Sequence, residues 1–506
     1  MDSHHAEELV VCIIRTKMEG IMSNKRITIN AILNVIRTGL SIIFPLITYP
    51  YVARILGKNG VGMVSYASSI VSYFVLFASF GISNYATREG AKIRSNKSSF
   101  QEFFEEMFSI NLICMLAAYL GLMGIIFFSR ELQEYKGLLA ILGIDILFKT
   151  LSVDWVNNVY EDFAYITIRS IITHVTSLVV LLMVVRTPQD VYLYAIILVM
   201  TNAINCIMNF FYCRKYIQLR INFQGRWKRH FTSLFYFFAN DVTVSVYVNI
   251  DTTMLGYYKG DSAVGAYIIA VKIYSVVKRM LAAIYTVTLP QLAEFAERKS
   301  QEEYKKLYTY ICAILSIVLI PSAVGLVALS EELILFMGGA EYKEAVLSLK
   351  ILAFALIFAI YGGLVTVCFN ITHKLEKINL YATFFSATLN FVINIFLIPK
   401  WGQYGAAFTT LLSEVFVFFF CFVKVKTKSD FGDMRYIRRE IFNGLIGAIL
   451  ILCIAFSVHK ILPACLSSFF IILFTSIFVY FGYLIIVRDD VVMKIWKRLE
   501  IKCKNG

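Results

Sequence analysis

Seven basic residues lie within or at the edges of long apolar segments of the chain. A charged side chain at the centre of a bilayer costs about 2.5–3.5 kcal/mol on insertion scales, so we expect these residues to face a shared polar interior. Lysine and arginine in such an interior would bind an anion, and arginine suits phosphate because its planar fork donates two parallel hydrogen bonds. The seven residues are Arg37, Lys149, Arg169, Lys272, Lys278, Arg279 and Lys350.

The spacing of several of these residues indicates that they share one face of a helix. Asn34 and Arg37 are three residues apart, and Lys272 and Arg279 are seven apart, so each pair would share one face of a helix. The cations within the apolar segments outnumber the acids, which predicts a cationic cavity. The predicted substrate-binding residues are Asn34, Arg37, Lys149, Lys272 and Arg279.

Three acidic residues in the apolar segments are candidates for coupling to an ion. Asp145 precedes Lys149 by four residues, which also permits a purely structural ion pair. Glu414 has no basic residue within one helical turn, so it would either line a cavity or bind a proton or cation. We predict Asp251 and Glu414 as ion-coupling residues, with Asp145 as the alternative.

The elements that carry these residues are long and apolar. Of the 506 residues, 58% are hydrophobic and 16% are charged, whereas an ordinary soluble protein is roughly 25% charged. The mean hydropathy of +0.70 likewise argues against a water-soluble enzyme or a disordered chain. A membrane helix needs about 20 apolar residues, so the sequence predicts an all-α polytopic membrane protein with about 14 transmembrane helices. The predicted spans are 28–50, 62–83, 104–128, 137–154, 166–185, 191–212, 232–255, 263–288, 307–329, 345–369, 378–398, 403–423, 441–458 and 466–487.

Basic residues are distributed unevenly between the predicted spans. If the N-terminus is cytoplasmic, 32 of the 48 lysines and arginines fall in inside segments and nine in outside segments. This positive-inside pattern predicts that both termini are cytoplasmic. The net charge of +14 is dispersed over short loops instead of forming one patch, so we expect no nucleic-acid partner.

A short glycine-bearing turn occurs twice, as Gly60-Val61-Gly62 before the second span and as Val264-Gly265 before the eighth. Six spans separate the two turns, which favours two six-helix bundles related as a parallel repeat, plus two extra C-terminal helices. The alternative is that short turns between antiparallel helices simply look alike. The predicted order is a cytoplasmic N-terminal segment (1–27), a six-helix bundle (28–213), a cytoplasmic linker (214–231), a second six-helix bundle (232–424), a cytoplasmic basic loop (425–440), helices 13 and 14 (441–487) and a cytoplasmic basic tail (488–506).

Residues 1–21 precede a second plausible start of the chain. Met22 is followed by Lys25 and Arg26, directly before the first long apolar segment, as in a cytoplasmic N-terminus. We therefore expect residues 1–21 to be a non-native extension. The alternative is an amphipathic helix lying in the membrane interface.

Sequence motifs of common enzyme classes do not occur. The chain has no P-loop, HExxH or GxSxG motif, its six histidines are scattered, and its ten cysteines lack the spacing of metal sites. The longest predicted outside break, 330–344, leaves little room for a catalytic domain. We therefore predict a transporter and not an enzyme, with no catalytic residue, no metal and no cofactor.

Four groups of residues carry a resemblance that covers most of the chain from about residue 24. They are Pro45 to Gly62 with Phe80-Gly81 and Arg88-Glu89-Gly90-Ala91, Asp154-Trp155 with Glu161 and Tyr165-Ile166, Gly256 to Tyr267, and Trp401 to Ala407. In these motifs the chain resembles the bacterial oligosaccharide flippases (Wzx-type polysaccharide exporters) of the multidrug/oligosaccharidyl-lipid/polysaccharide transporter superfamily. Many members of that family have Phe-Gln-Gly after Asp-Trp, where this chain has Val156-Asn157-Asn158.

The resemblance implies a flippase that moves an undecaprenyl-diphosphate-linked oligosaccharide from the cytoplasmic to the outer leaflet of the bacterial plasma membrane. It implies alternating access, coupling to an ion gradient or membrane potential, and polysaccharide polymerase and glycosyltransferases as partners. We expect Arg37, Lys272 and Arg279 to hold the diphosphate. One alternative is a multidrug or cation antiporter of the same superfamily, whose substrates a cationic interior would repel. The other is a membrane-embedded polymerase or glycosyltransferase.

Overall fold

The computed structural model describes Gly39 and residues 43–222, 227–426 and 432–494. The regular structure in these ranges is helical and contains no strand, which confirms the predicted all-α class. The α-helices are α1 (residues 43–79), α2 (Ile82–Ile93), α3 (Lys97–Phe128), α4 (Lys136–Leu151), α5 (Asp154–Val159), α6 (Phe163–Val184), α7 (Val191–Cys213), α8 (Lys228–Lys259), α9 (Asp261–Glu297), α10 (Gln301–Ala328), α11 (Ser330–Gly338), α12 (Ala345–Gly363), α13 (Glu376–Trp401), α14 (Gln403–Lys426), α15 (Met434–His459) and α16 (Leu466–Ile486).

Ten helical segments in the described ranges are long and apolar enough to cross a membrane. This confirms a polytopic membrane protein, while the number of about 14 spans stays a prediction. Helix α9 continues nine residues past the predicted end at 288, through Pro290. Its last turns carry Glu294 and Glu297. The predicted end falls short of these turns because an apolar run marks the part of a helix that suits the membrane and not its full length.

The chain divides into two compact units. In the described ranges, the first unit contains residues 43–48, Tyr73–Arg186 and Tyr192–Asp241. The second contains Tyr49–Ser72, Thr187–Val191 and the chain from Val242 onward. The assignment therefore changes from one unit to the other twice within α1, twice near the start of α7 and once within α8.

In the first unit, Trp155 fixes the short helix α5 against α3. Its side chain is 6% exposed, and its ring stacks on Phe104 at 5.8 Å between centroids and meets the edge of Phe103 at 6.1 Å. Such aromatic pairs contribute about 0.5–1.5 kcal/mol beyond the area they bury. This packing explains why a six-residue helix that could not form alone is held in place.

Asp162 joins the start of α6 to the end of α7 in the same unit. Its carboxylate accepts hydrogen bonds from Lys215 Nζ and from Tyr216 Oη, each at 2.9 Å, and from Tyr212 Oη. Burial alone would raise the pKa of Asp162, but these three hydrogen bonds outweigh it and hold the pKa below its usual value. Asp162 is therefore expected to stay ionised and to keep the two helix ends together.

In the second unit, the two glycine-bearing segments that the sequence predicts as turns pack directly against each other, but both lie in helices, Gly62 in α1 and Gly265 in the first turns of α9. A Cβ on Gly62 would lie 1.9 Å from the carbonyl oxygen of Asp261, and a Cβ on Gly265 would lie 2.0 Å from that of Lys58. Gly62 thus faces the backbone of Asp261, and Gly265 faces the backbone of Lys58. This reciprocal arrangement is that of two segments related by a local twofold axis. Only glycine permits this approach, because any other residue would overlap the opposing backbone.

Helix α12 ends in a π-helical stretch, Leu364–Ile371. Neighbouring side chains bond to carbonyl groups of this stretch. Asn379 Nδ2 donates to Thr366 O at 2.9 Å, and Tyr304 Oη donates to Cys368 O at 3.0 Å. The predicted span 345–369 therefore covers two kinds of helix, a difference that hydropathy does not report.

Candidate functional site

Lys272 and Arg279 both lie on α9, and the side chains of both are exposed. Neither forms an ion pair with another described residue. The ammonium group of Lys272 lies 5.9 Å from the centroid of the Tyr49 ring, within the range of a cation–π interaction. Two cations without acidic partners on a largely apolar helix favour the binding of an anion.

The neighbouring Lys278 has a different environment. Its Nζ atom lies 2.6 Å from Glu414 Oε1 on α14, and Tyr274 Oη donates to the same oxygen at 3.3 Å. Glu414 is 6% exposed. This ion pair joins α9 to α14, with Glu414 buried and Lys278 partly exposed. The sequence did not reveal it because the two residues are 136 positions apart.

Asp251 on α8 lies in a shell of neutral hydrogen-bond donors. Its carboxylate accepts from Asn394 Nδ2 at 2.6 Å, from Tyr267 Oη at 2.8 Å and from Thr410 Oγ1 at 2.8 Å. The residue is 5% exposed, and no described lysine, arginine or histidine lies within ion-pair distance of it. Asn390 Oδ1 accepts from Asn394 Nδ2 at 2.9 Å and extends the polar cluster. Uncharged groups thus surround a buried carboxylate, an arrangement suited to a proton or a small cation.

Asp145 and Lys149 do not form the ion pair that their spacing permits. Asp145 Oδ2 instead accepts from Asn202 Nδ2 of α7 at 3.1 Å, and Asp145 Oδ1 is buried without a partner among the described residues. Lys149 is exposed and lines a small polar cavity. The ion-pair interpretation is therefore wrong, because Asn202 on the neighbouring helix supplies the bond to Asp145.

Arg169 on α6 is 4% exposed, and its Nη2 atom pairs with Asp154 Oδ1 at 2.9 Å. Its Nε and Nη1 atoms are buried without partners in the described chain. The sequence singles out both residues, Arg169 as a cation within an apolar segment and Asp154 as part of the Asp154-Trp155 motif. The partnership depends on the turn around α5, which spacing alone does not predict.

An apolar cavity of about 570 Å³ lies in the second unit and is lined mainly by α9, α10 and α16. Its walls include Pro321, Gly325, Phe469 and Leu473, with Ile451 from α15. The hydropathy pattern does not indicate this cavity, since residues that face a cavity and residues that face lipid are equally apolar.

Two predicted site residues, Asn34 and Arg37, lie outside the described residues. The structure places Lys149 in the first unit and Lys272, Arg279, Asp251 and Glu414 in the second. No group of three or more histidine, cysteine, aspartate or glutamate side chains that could hold a metal occurs among the residues described.

Comparison with known sequences gives similarity to proteins of polysaccharide export. Residues 27–296 match the profile of the family described as polysaccharide biosynthesis protein, and residues 238–396 match the profile of the MatE family. The chain is 22% identical over 409 residues to the "Putative O-antigen transporter" of Escherichia coli strain K12, covering 77% of this chain and 94% of that protein. It is 27% identical over 190 residues to the "Probable low-salt glycan biosynthesis flippase Agl15" of Haloferax volcanii, covering 36% of this chain and 39% of that protein.

Two solved structures share the fold. The lipid II flippase MurJ in an inward closed conformation superposes with a TM-score of 0.73 at 20% identity, covering 91% of this chain and all of that one. An inward-facing multidrug resistance transporter of the MATE family gives a TM-score of 0.52 at 12% identity, covering 77% of this chain and all of that one. These similarities agree with the predicted all-α membrane fold.

Proposed function

Because the chain belongs to the polysaccharide biosynthesis protein family, we propose that it is a flippase for a lipid-linked oligosaccharide. The observation that carries this proposal is the pair of exposed cations Lys272 and Arg279 on α9, which form no ion pair within the described part of the chain. Charges retained in an apolar helix need a compensating partner, and the diphosphate of a polyprenyl-linked sugar supplies a doubly anionic one.

The other parts of such a substrate have chemically suitable surroundings. The apolar cavity lined mainly by α9, α10 and α16 suits part of the polyprenyl chain, because its lining is as apolar as the lipid that the chain would leave. We assign the carrier as undecaprenyl diphosphate and the site of action as the bacterial plasma membrane. Both termini are cytoplasmic in this proposal, and the protein transports without catalysing a reaction. Glycosyltransferases would supply the substrate, and a polysaccharide polymerase would use the product.

Charge reversal tests the assignment of the diphosphate site. Arg279→Glu should abolish export and reduce the affinity for undecaprenyl diphosphate at least tenfold, because it replaces an attraction by a repulsion. Lys272→Glu and Arg37→Glu should act in the same direction. The measurement is accumulation of lipid-linked oligosaccharide on the cytoplasmic face of cells, combined with binding of undecaprenyl diphosphate to the purified protein.

Arg130→Glu is the matched control, because Arg130 is exposed and lies in a predicted outside loop. It should export normally at equal membrane abundance. Normal export by Arg279→Glu would refute the assignment. Extrusion of cationic dyes by the purified protein, without binding of the lipid, would instead favour the cation antiporter.

We further propose that Asp251 couples transport to an ion gradient. The sequence predicts Glu414 for the same role, but its carboxylate is paired with Lys278, whereas the carboxylate of Asp251 accepts hydrogen bonds only from neutral donors among the residues that the structure describes. Asp251→Asn keeps the shape and removes the charge. Transport by reconstituted vesicles should then lose its response to an imposed sodium or proton gradient, with a fall in rate of at least tenfold.

The same substitution at Asp241 provides the control, because Asp241 is partly exposed and accepts a bond from Asn84 in the first unit at 3.2 Å. Asp241→Asn should leave the response to either gradient intact. If Asp251→Asn vesicles respond like the unsubstituted protein to both gradients, Asp251 is not the coupling residue.

A further inference from the structure

The first unit contains the small polar cavity that Lys149 lines, at the junctions of α1 with α2 and of α4 with α5. Its volume is about 40 Å³, whereas a cavity needs roughly 10–15 Å³ to hold one water molecule. The cavity therefore admits a group the size of a few water molecules. Its polar lining consists of Ser79, Ser83, Asn111, Lys149, Thr150, Ser152 and Asp154.

The charges at this cavity leave one cation without a partner. Asp154 is paired with Arg169 at 2.9 Å, and its other oxygen accepts from Ser152 Oγ at 3.3 Å. Lys149 forms neither an ion pair nor a hydrogen bond with a described residue. Because Arg169, which lies outside the lining, already compensates Asp154, and the remaining polar groups are neutral hydroxyls and an amide, the uncompensated charge at the cavity is the ammonium group of Lys149, which complements an anion.

The backbone around the cavity is held in conformations that are unfavourable for its residues. Val153 at the α4–α5 junction has φ 40°, and Phe80 at the α1–α2 junction has φ 41°. A β-branched residue in the left-handed region is unusual, and such conformations cost of order 1–3 kcal/mol each. Strain of this kind concentrates at binding sites, where the surrounding contacts enforce it. Here the buried guanidinium of Arg169 acts as a positioning group for Asp154.

We infer that this cavity binds an oxyanion of the transported molecule, with Lys149 as its cationic ligand. A planar carboxylate or the edge of a phosphate fits both the volume and the charge. The inference rests on the proposed flippase function and adds a second anion site to it. The oxyanion has two possible sources, namely an acidic sugar of the oligosaccharide and the diphosphate itself.

Binding of two lipids distinguishes these sources in the purified full-length protein in nanodiscs. One probe is undecaprenyl diphosphate carrying N-acetylglucosamine, and the other carries an additional glucuronic acid. Lys149→Gln should lower the affinity for the acidic lipid at least tenfold, because a charge-assisted hydrogen bond is lost. Lys149→Arg should restore most of the affinity. Ser83→Ala, which keeps the charge of the cavity, should lower the affinity for the same lipid about threefold.

Lys400→Gln is the matched control, because Lys400 is exposed at the end of α13. If Lys149→Gln loses affinity for the acidic lipid alone, the site is supported and the oxyanion belongs to the sugar. If it loses affinity equally for both lipids, the site is supported and the oxyanion belongs to the diphosphate. Unchanged binding of both lipids by Lys149→Gln overturns the inference and leaves the proposed function intact. Binding of neither lipid by the unsubstituted protein contradicts the proposed function, and the inference fails with it.

Discussion

Replacing Gly62 by alanine is expected to destabilise the protein by about 3 kcal/mol or more, and Gly265→Ala should have a similar effect. The new Cβ atom would lie about 2 Å from a backbone carbonyl oxygen in each case. Real Cβ atoms essentially never come closer than 3.0 Å, so the two segments would have to separate. The result should be less folded protein in the membrane and a lower midpoint of thermal unfolding, measured by size-exclusion chromatography after heating.

Gly482→Ala is the control for this pair, because nothing lies within 4 Å of its added Cβ. It lies in α16 of the same unit, where alanine is favoured over glycine by about 1 kcal/mol in a helix interior. Its unfolding midpoint should therefore be unchanged or slightly higher. Midpoints for Gly62→Ala and Gly265→Ala that match the Gly482→Ala value would show that the close approach does not limit stability.

Removing one partner of the Lys278–Glu414 pair should also destabilise the folded protein strongly. Lys278→Ala leaves the buried Glu414 carboxylate without its ammonium partner, and loss of one member of a buried ion pair costs about 3–5 kcal/mol. Glu414→Ala should cost less, because the side chain of Lys278 is 33% exposed. The unfolding midpoint of each variant reports the loss.

The double variant Lys278→Met with Glu414→Leu separates a structural role from a transport role. Replacement of both charges by apolar side chains of similar size should restore stability to near that of the unsubstituted protein. If the double variant also transports in response to an ion gradient, Glu414 is a structural residue. A stable double variant that has lost this response would return Glu414 to the coupling site.

Much of the fold was predictable because periodicity and apolar length report on single helices. Most apolar segments of the sequence coincide with helices in the described ranges, although the predicted break 51–61 lies inside α1, and Lys272 and Arg279 lie on one helix as their spacing predicts. The Gly60-Val61-Gly62 and Val264-Gly265 segments are similar in sequence, but both lie within helices and not in turns. Their direct contact was not predicted, since similarity of two segments does not reveal whether they touch.

The polar partnerships could not be predicted, because each joins different helices. Spacing along one helix favoured Lys149 as the partner of Asp145, yet Asn202 on α7 occupies that position. Lys278 and Glu414 come together only when α9 packs on α14. Their positions depend on tertiary packing, about which a hydropathy pattern carries little information.

The reciprocal contact of the two glycine-bearing segments also determines how the protein can respond to mutation. On both sides of the contact the opposing atom is a backbone carbonyl oxygen, of Asp261 or of Lys58. A smaller side chain elsewhere cannot create room, because no side chain occupies the space. A genetic search for suppressors of Gly62→Ala should therefore recover true revertants and globally stabilising changes, but no compensating substitution at the contact itself.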